Sequence, residues 1–122
     1  MLHSLAIVFP LLLVAAGCDD LPGGPTIVRG TVRDAVTGLP IDSIVVALNP
    51  PGTPDPLAVG FTDEAGAFTL TTSQGTVAGF RVNQPPQGLF QFYNPNYEPF
   101  LATRINNGRS NRIDVELNPI SR

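Results

Sequence analysis

Polar and apolar residues are arranged in two different ways along this chain. From Leu5 to Ala16 they do not alternate: LAIVFPLLLVAA is a continuous apolar run. From Thr26 onward, apolar residues recur at every second position within short stretches, the period of a strand with one buried face. Seven such stretches are expected as strands, at 26–33, 41–49, 57–62, 67–72, 76–83, 100–105 and 112–117. In the first, Val28, Gly30 and Val32 share a face opposite Arg29, Thr31 and Arg33. In the second, Ile44, Val46 and Leu48 face one way, but Val45 and Ala47 are apolar too. That strand is expected to be covered on both sides. Phe68 with Leu70, and Phe80 with Val82, mark the inner faces of the fourth and fifth. The last is the clearest, with Ile113, Val115 and Leu117 alternating with Asp114 and Glu116. No stretch carries a clean helical period.

Turn signals separate these stretches: DAVTGLP at 34–40, PPGTPDP at 50–56, DEAG at 63–66 and NNGRS at 106–110. Gly66 suits the left-handed position of a hairpin. The longest interruption, 84–99, is rich in Pro, Asn and aromatic residues. Short strands at regular spacing with turns between them predict an all-β, seven-stranded antiparallel sandwich. The 13 prolines and 12 glycines agree with a turn-rich β-protein.

Charge and cysteine content narrow the classes. The net charge is −3, and the basic residues are seven scattered arginines with no lysine. No basic stripe could follow a phosphate backbone, so nucleic acid is not an expected partner. The single cysteine, Cys18, rules out an intrachain disulfide. A domain of about 105 residues must then hold together by an ordinary apolar core.

The apolar run of about 12 residues has the length of a secretion-signal core and is too short to span a bilayer. Pro10 in its middle also disfavours a spanning helix. The n-region, Met1 to Ser4, lacks the usual Lys or Arg and holds only His3. Val14-Ala-Ala-Gly-Cys18 resembles the lipobox of bacterial lipoprotein precursors. The alternative is an ordinary cleavable signal with a chance cysteine, because Ala-Ala-Gly also reads as a cut site. The resemblance implies a signal peptide at 1–17 and a diacylglycerol on the sulfur of Cys18. Residues 18–25 would be a tether and 26–122 one domain. Several acyl chains on one residue are enough for stable anchoring. The protein would then sit in the bacterial cell envelope, lipid-anchored to a membrane and outside the cytoplasm.

Within the domain, Gly30-Thr-Val-Arg-Asp34, Thr37-Gly-Leu-Pro-Ile41, Val46-Ala-Leu48 and Thr62-Asp-Glu-Ala-Gly-Ala-Phe-Thr-Leu70 occur in a telling order. It is the order seen in carboxypeptidase regulatory-like domains, and Thr26 to Pro119 resembles that family. Asn96-Tyr-Glu-Pro99 resembles its Gly-Tyr-x-Pro segment with Asn in place of Gly, and Ile113 to Leu117 its closing strand. The resemblance implies a transthyretin-like (prealbumin-like) Greek-key sandwich and a non-catalytic accessory or interaction module.

The search for chemistry yields little. His3 is the only histidine and lies in the leader, so the mature chain has no histidine for a triad or a metal site. No cofactor or metal is expected. Asp63 and Glu64 beside Gly66 lack the ligand spacing of a calcium loop and read as a hairpin turn. Asp34 and Asp42 flank one loop and are assigned to solvated turns, as Asp114 and Glu116 are to a wet strand face. The aromatic stretch carries the contact candidates Phe90, Phe92, Tyr93 and Tyr97, which could stack on sugar rings or anchor an interface. The competing reading puts them at one end of the core. The expectation is therefore a non-enzymatic, membrane-tethered module that meets a protein partner through strand edges. The alternative is a binding protein for a glycan or small hydrophobic ligand through 84–99.

Overall fold

The computed structural model describes residues 24–120. The apolar leader, Cys18 and most of the tether lie outside those residues. In chain order the strands are β1 (Thr26–Asp34), β2 (Val45–Asn49), β3 (Ala58–Phe61), β4 (Ala67–Thr72) and β5 (Gly79–Val82). A single 3₁₀ turn follows at Phe90–Phe92, then β6 (Phe100–Ala102), β7 (Ser110–Arg112) and β8 (Val115–Leu117). One sheet runs β4-β1-β7, with β8 also on β1, and the other runs β3-β2-β5-β6. The expected two-sheet sandwich is the fold.

The core lies between the inner faces that alternation predicted. Val28 and Val32 of β1, Phe68 and Leu70 of β4, and Val115 and Leu117 of β8 face Val46, Leu48, Phe80 and Val82. Phe68 and Phe80 stack across the two sheets, with centroids 5.2 Å apart and rings tilted by 25°. Each fully buried side chain of this size contributes about 1.5–3 kcal/mol. All five residues of β2 are buried, so it is covered on both sides as expected.

At three of the boundaries that differ from the periodic reading, a polar side chain replaces a ladder. β2 begins at Val45 because Ser43 takes a positive φ of 62°. The 41–44 segment is held instead by Thr62, whose hydroxyl accepts from Ile44 N–H at 2.9 Å and donates to Ile41 O at 2.7 Å. β5 begins at Gly79, since Val77 is paired with the Asn107 amide through bonds of 2.7 and 3.0 Å.

The last expected strand is divided into β7 and β8, and both run parallel to β1. This corrects the all-antiparallel pairing. The long connection through the second sheet supplies the crossover that a parallel pair requires. Between β7 and β8 the chain comes so close to β1 that a Cβ on Gly30 would lie 1.9 Å from Ile113 O. Asp114 then continues the ladder: its Oδ1 accepts the Thr31 N–H at 3.0 Å and the Thr31 hydroxyl at 3.1 Å. Its Oδ2 takes Arg112 Nε at 3.1 Å. Arg112 first, and then Thr31, hold the Asp114 carboxyl below the usual aspartate range. Asp114 does lie on the wet face, but as part of the sheet.

Candidate functional site

The outer faces of the two sheets are unlike. On the first, Arg29, Arg33, Arg112 and Glu116 are exposed beside Thr31 and Asp114. On the second, strand alternation brings Val59 and Phe61 of β3, Ala47 of β2, Arg81 of β5 and Leu101 of β6 to the outside. Val59, Phe61 and Leu101 remain exposed.

The 84–99 segment folds back over this apolar face. Its turn is short: Leu89 N–H donates to Pro86 O at 2.9 Å and Phe92 N–H to Leu89 O at 3.0 Å. Phe92 meets Phe61 edge-on, with centroids 5.1 Å apart. Phe90 borders a groove of about 450 Å³ that also touches Ala47, Asn49, Pro54, Arg81 and Pro86.

Two polar anchors hold the segment. The first is Asn83, fully buried at the end of β5 with a positive φ of 58°. Its Nδ2 donates to Asn94 O at 2.9 Å and Tyr97 O at 3.0 Å, and its Oδ1 accepts the Asn94 N–H at 2.9 Å. The second is Asp34, whose Oδ2 accepts the Tyr97 hydroxyl at 2.7 Å across 63 positions of sequence. Its Oδ1 takes the N–H groups of Val36 at 2.7 Å and Thr37 at 3.0 Å. The Thr37 N–H, then the Tyr97 hydroxyl and the Val36 N–H, hold the Asp34 carboxyl below its ordinary range. The same bond raises the Tyr97 phenol above its own.

The four aromatic candidates therefore separate. Phe90, Phe92 and Tyr93 are exposed, with Phe90 the most so at 67%. Tyr97 packs against the core and closes the sandwich beside Pro119. They do not line a common pocket: only Phe90 borders the groove. Nor do the carboxylates Asp34, Asp42 and Asp63 converge. Asp34 is spent as described, and Asp42 accepts from the neighbouring Ser43 hydroxyl at 3.1 Å. Asp63 caps its own turn through Ala65 and Ala67 N–H, each at 2.9 Å.

Edge strands bound each sheet: β4 and the β7/β8 pair on one, β3 and β6 on the other. β6 is only three residues long and follows Pro99, so it offers little ladder to a partner.

The periodic reading missed Asn83 and Arg81. Alternation in Gly79-Phe-Arg-Val82 does place Arg81 opposite the core face. Nothing local marks Asn83, because its partners lie 11 and 14 residues away in irregular chain.

No protein-family model and no curated protein matches the sequence. Among solved structures, the fold is similar to that of the TIE protein of Bacillus anthracis, with a TM-score of 0.53 at 15% identity over 80% of this chain. This chain spans only 18% of that protein. It is equally similar to the 5-hydroxyisourate hydrolase of Klebsiella pneumoniae, with a TM-score of 0.53 at 13% identity, covering 79% of this chain and 92% of that one. An (S)-allantoin synthase structure gives a TM-score of 0.50 at 14% identity, covering 90% and 46%. At such identities the likeness is one of architecture, and it identifies residues 24–120 as a transthyretin-like two-sheet β-sandwich.

Proposed function

We propose that this protein is a non-enzymatic interaction module of the carboxypeptidase regulatory-like type, tethered by lipid on Cys18 and working outside the cytoplasm of a bacterium. The observation that carries the contact role is the apolar face of β3-β2-β5-β6. Val59, Phe61 and Leu101 are exposed on it, Phe92 packs edge-on against Phe61, and Phe90 stands exposed beside the adjoining groove. Contiguous exposed apolar residues on a small domain mark a contact surface, and aromatics are the usual anchors. The tether is supported by the run from Leu5 to Ala16 and by Val14-Ala-Ala-Gly-Cys18.

The test has two arms in cells. Cys18→Ala is expected to abolish lipid labelling and lipoprotein processing and to release the chain from the membrane fraction. An unchanged mass and distribution refute the tether. For the surface, a photocrosslinker at Phe90 is expected to trap one discrete partner that a crosslinker at Arg29, on the opposite face, does not. Equal crosslinking from both faces refutes the contact role.

A second reading, ligand binding at the same segment, is favoured by the groove beneath Phe90. Such clefts with a few placed polar groups are the usual form of a small-molecule site.

A further inference from the structure

We propose that this groove binds a carboxylate carried on an apolar body, with Arg81 as the anion ligand and Asn49 as the acceptor for a donor beside that carboxylate. The proposal rests on the ligand-binding reading and names its chemistry.

Arg81 is half-buried on the outer face of β5, a central strand. Its Nη1 donates to Gln84 Oε1, a neutral partner. Among the described residues no ion pair within 4.0 Å involves Arg81; Arg112 pairs with Asp114 on the other sheet. Arg81 therefore keeps its charge uncompensated while partly withdrawn from water, a costly state for a cation. A guanidinium carries five N–H donors in a planar fork matched to a carboxylate.

Asn49 supplies the second, independent observation. It is 7% exposed and borders both this groove and the adjacent one. Its Nδ2 reaches Pro54 O at 3.4 Å, the outer limit of a hydrogen bond. Its Oδ1 is buried with no hydrogen-bond partner. Buried acceptors without a partner are rare enough to call for a reason. Asn49 follows Ala47 by two positions on β2, so its side chain leaves the same outer face and borders the groove; under the proposal its amide turns from Pro54 to meet the ligand's donor.

Ala47, Pro54, Pro86 and Phe90 complete the groove as apolar wall. One cation, one free acceptor and an apolar lining fit a monoanion with an adjacent N–H or O–H. A phosphomonoester dianion, with higher charge and only acceptor oxygens, would leave the Asn49 oxygen unmatched. An N-acyl amino acid and the C-terminus of a peptide share this chemistry.

The test uses the full chain, ¹⁵N-labelled in nonionic detergent, with the side-chain resonances of Arg81 and Asn49 as reporters. The probes are N-acetyl-phenylalanine, its carboxamide, and N-acetyl-Ala-Ala-Phe. Both carboxylates are expected to shift both reporters saturably, and the carboxamide to bind about tenfold or more weakly, as loss of a charge-assisted pair requires. Tighter binding of the tripeptide assigns the ligand to a peptide C-terminus, and tighter binding of the single amino acid to a free metabolite. Arg81→Gln is expected to weaken binding by about tenfold. Should that variant fail to fold, Phe90→Ala removes an exposed wall residue and is expected to weaken binding about threefold. Equal binding of carboxylate and carboxamide overturns the proposal. So does the absence of saturable shifts up to about 20 mM probe, or undiminished binding by a folded Arg81→Gln. Any of these leaves the crosslinking and fractionation tests, which need no ligand, to decide the interaction reading separately.

Discussion

Asn83→Ala is the perturbation that separates a pinned aromatic segment from one resting on the sheet by apolar contact alone. Asn83 is fully buried, and its side chain makes three hydrogen bonds to the backbone of Asn94 and Tyr97. A hydrogen bond of this kind has a net worth of about 1 kcal/mol, and a buried group left unsatisfied costs about 1–3 kcal/mol. Removing the amide thus costs about 3 kcal/mol from the three bonds. Alanine also tolerates the positive φ of 58° less well than asparagine, by a further fraction of about 1 kcal/mol. For a domain of this size, about 3–4 kcal/mol lowers the thermal midpoint by about 12–30 °C. Calorimetry gives the midpoint, and the ¹⁵N spectrum shows whether Phe92 leaves Phe61. Asn83→Asp sharpens the test. It keeps the acceptor for Asn94 N–H but turns a carboxylate toward two carbonyl oxygens, which raises that residue's folded pKa. Its stability deficit is therefore smallest below about pH 4, where the acid is protonated in both states, and grows as pH rises through the folded value. A midpoint loss of less than about 4 °C for Asn83→Ala, near 1 kcal/mol or less, would refute the pinning.

The Gly66 turn and the Asp34–Tyr97 bond give further expected outcomes. Gly66 has a φ of +74°, and a Cβ there would lie 2.5 Å from Val32 O. Gly66→Val is therefore expected to lose about 2 kcal/mol or more, and a melting midpoint equal to the parent's would count against the turn. The depressed carboxyl of Asp34 contributes stability present above the unfolded aspartate pKa and lost as pH falls through the lower folded value, so below about pH 4. The raised Tyr97 phenol contributes stability lost as pH rises above about 10. Tyr97→Phe is expected to move the Asp34 titration upward and flatten both limbs. NMR titration of an unchanged Asp34 in that variant would contradict the bond.

Most of the architecture is legible in the residue pattern, because a period of two requires only a core on one side. Val28, Val32, Phe68, Leu70, Phe80, Val82, Val115 and Leu117 were legible as inner-face residues, and each is buried. The apolar neighbours Val45 and Ala47 likewise announced a strand covered on both faces. Turn chemistry was legible wherever it was local, as at Asp63 to Gly66, where the side chain caps backbone two and four residues on. Alternation could not reveal where a side chain substitutes for backbone at long range. Asn83 reads as the end of an expected strand and Asn107 as part of a turn, yet Asn83, Asn107 and Asn111 each pair with backbone of a distant segment. Tertiary structure alone decided that the closing strand runs parallel to β1, and that Gly30 is needed for the close approach of Ile113. It also divided the aromatic segment, placing Tyr97 against the core on Asp34 and leaving Phe90, Phe92 and Tyr93 outside. Periodicity records the average environment of a strand, whereas a hydrogen bond between distant segments depends on where the folded chain places both partners.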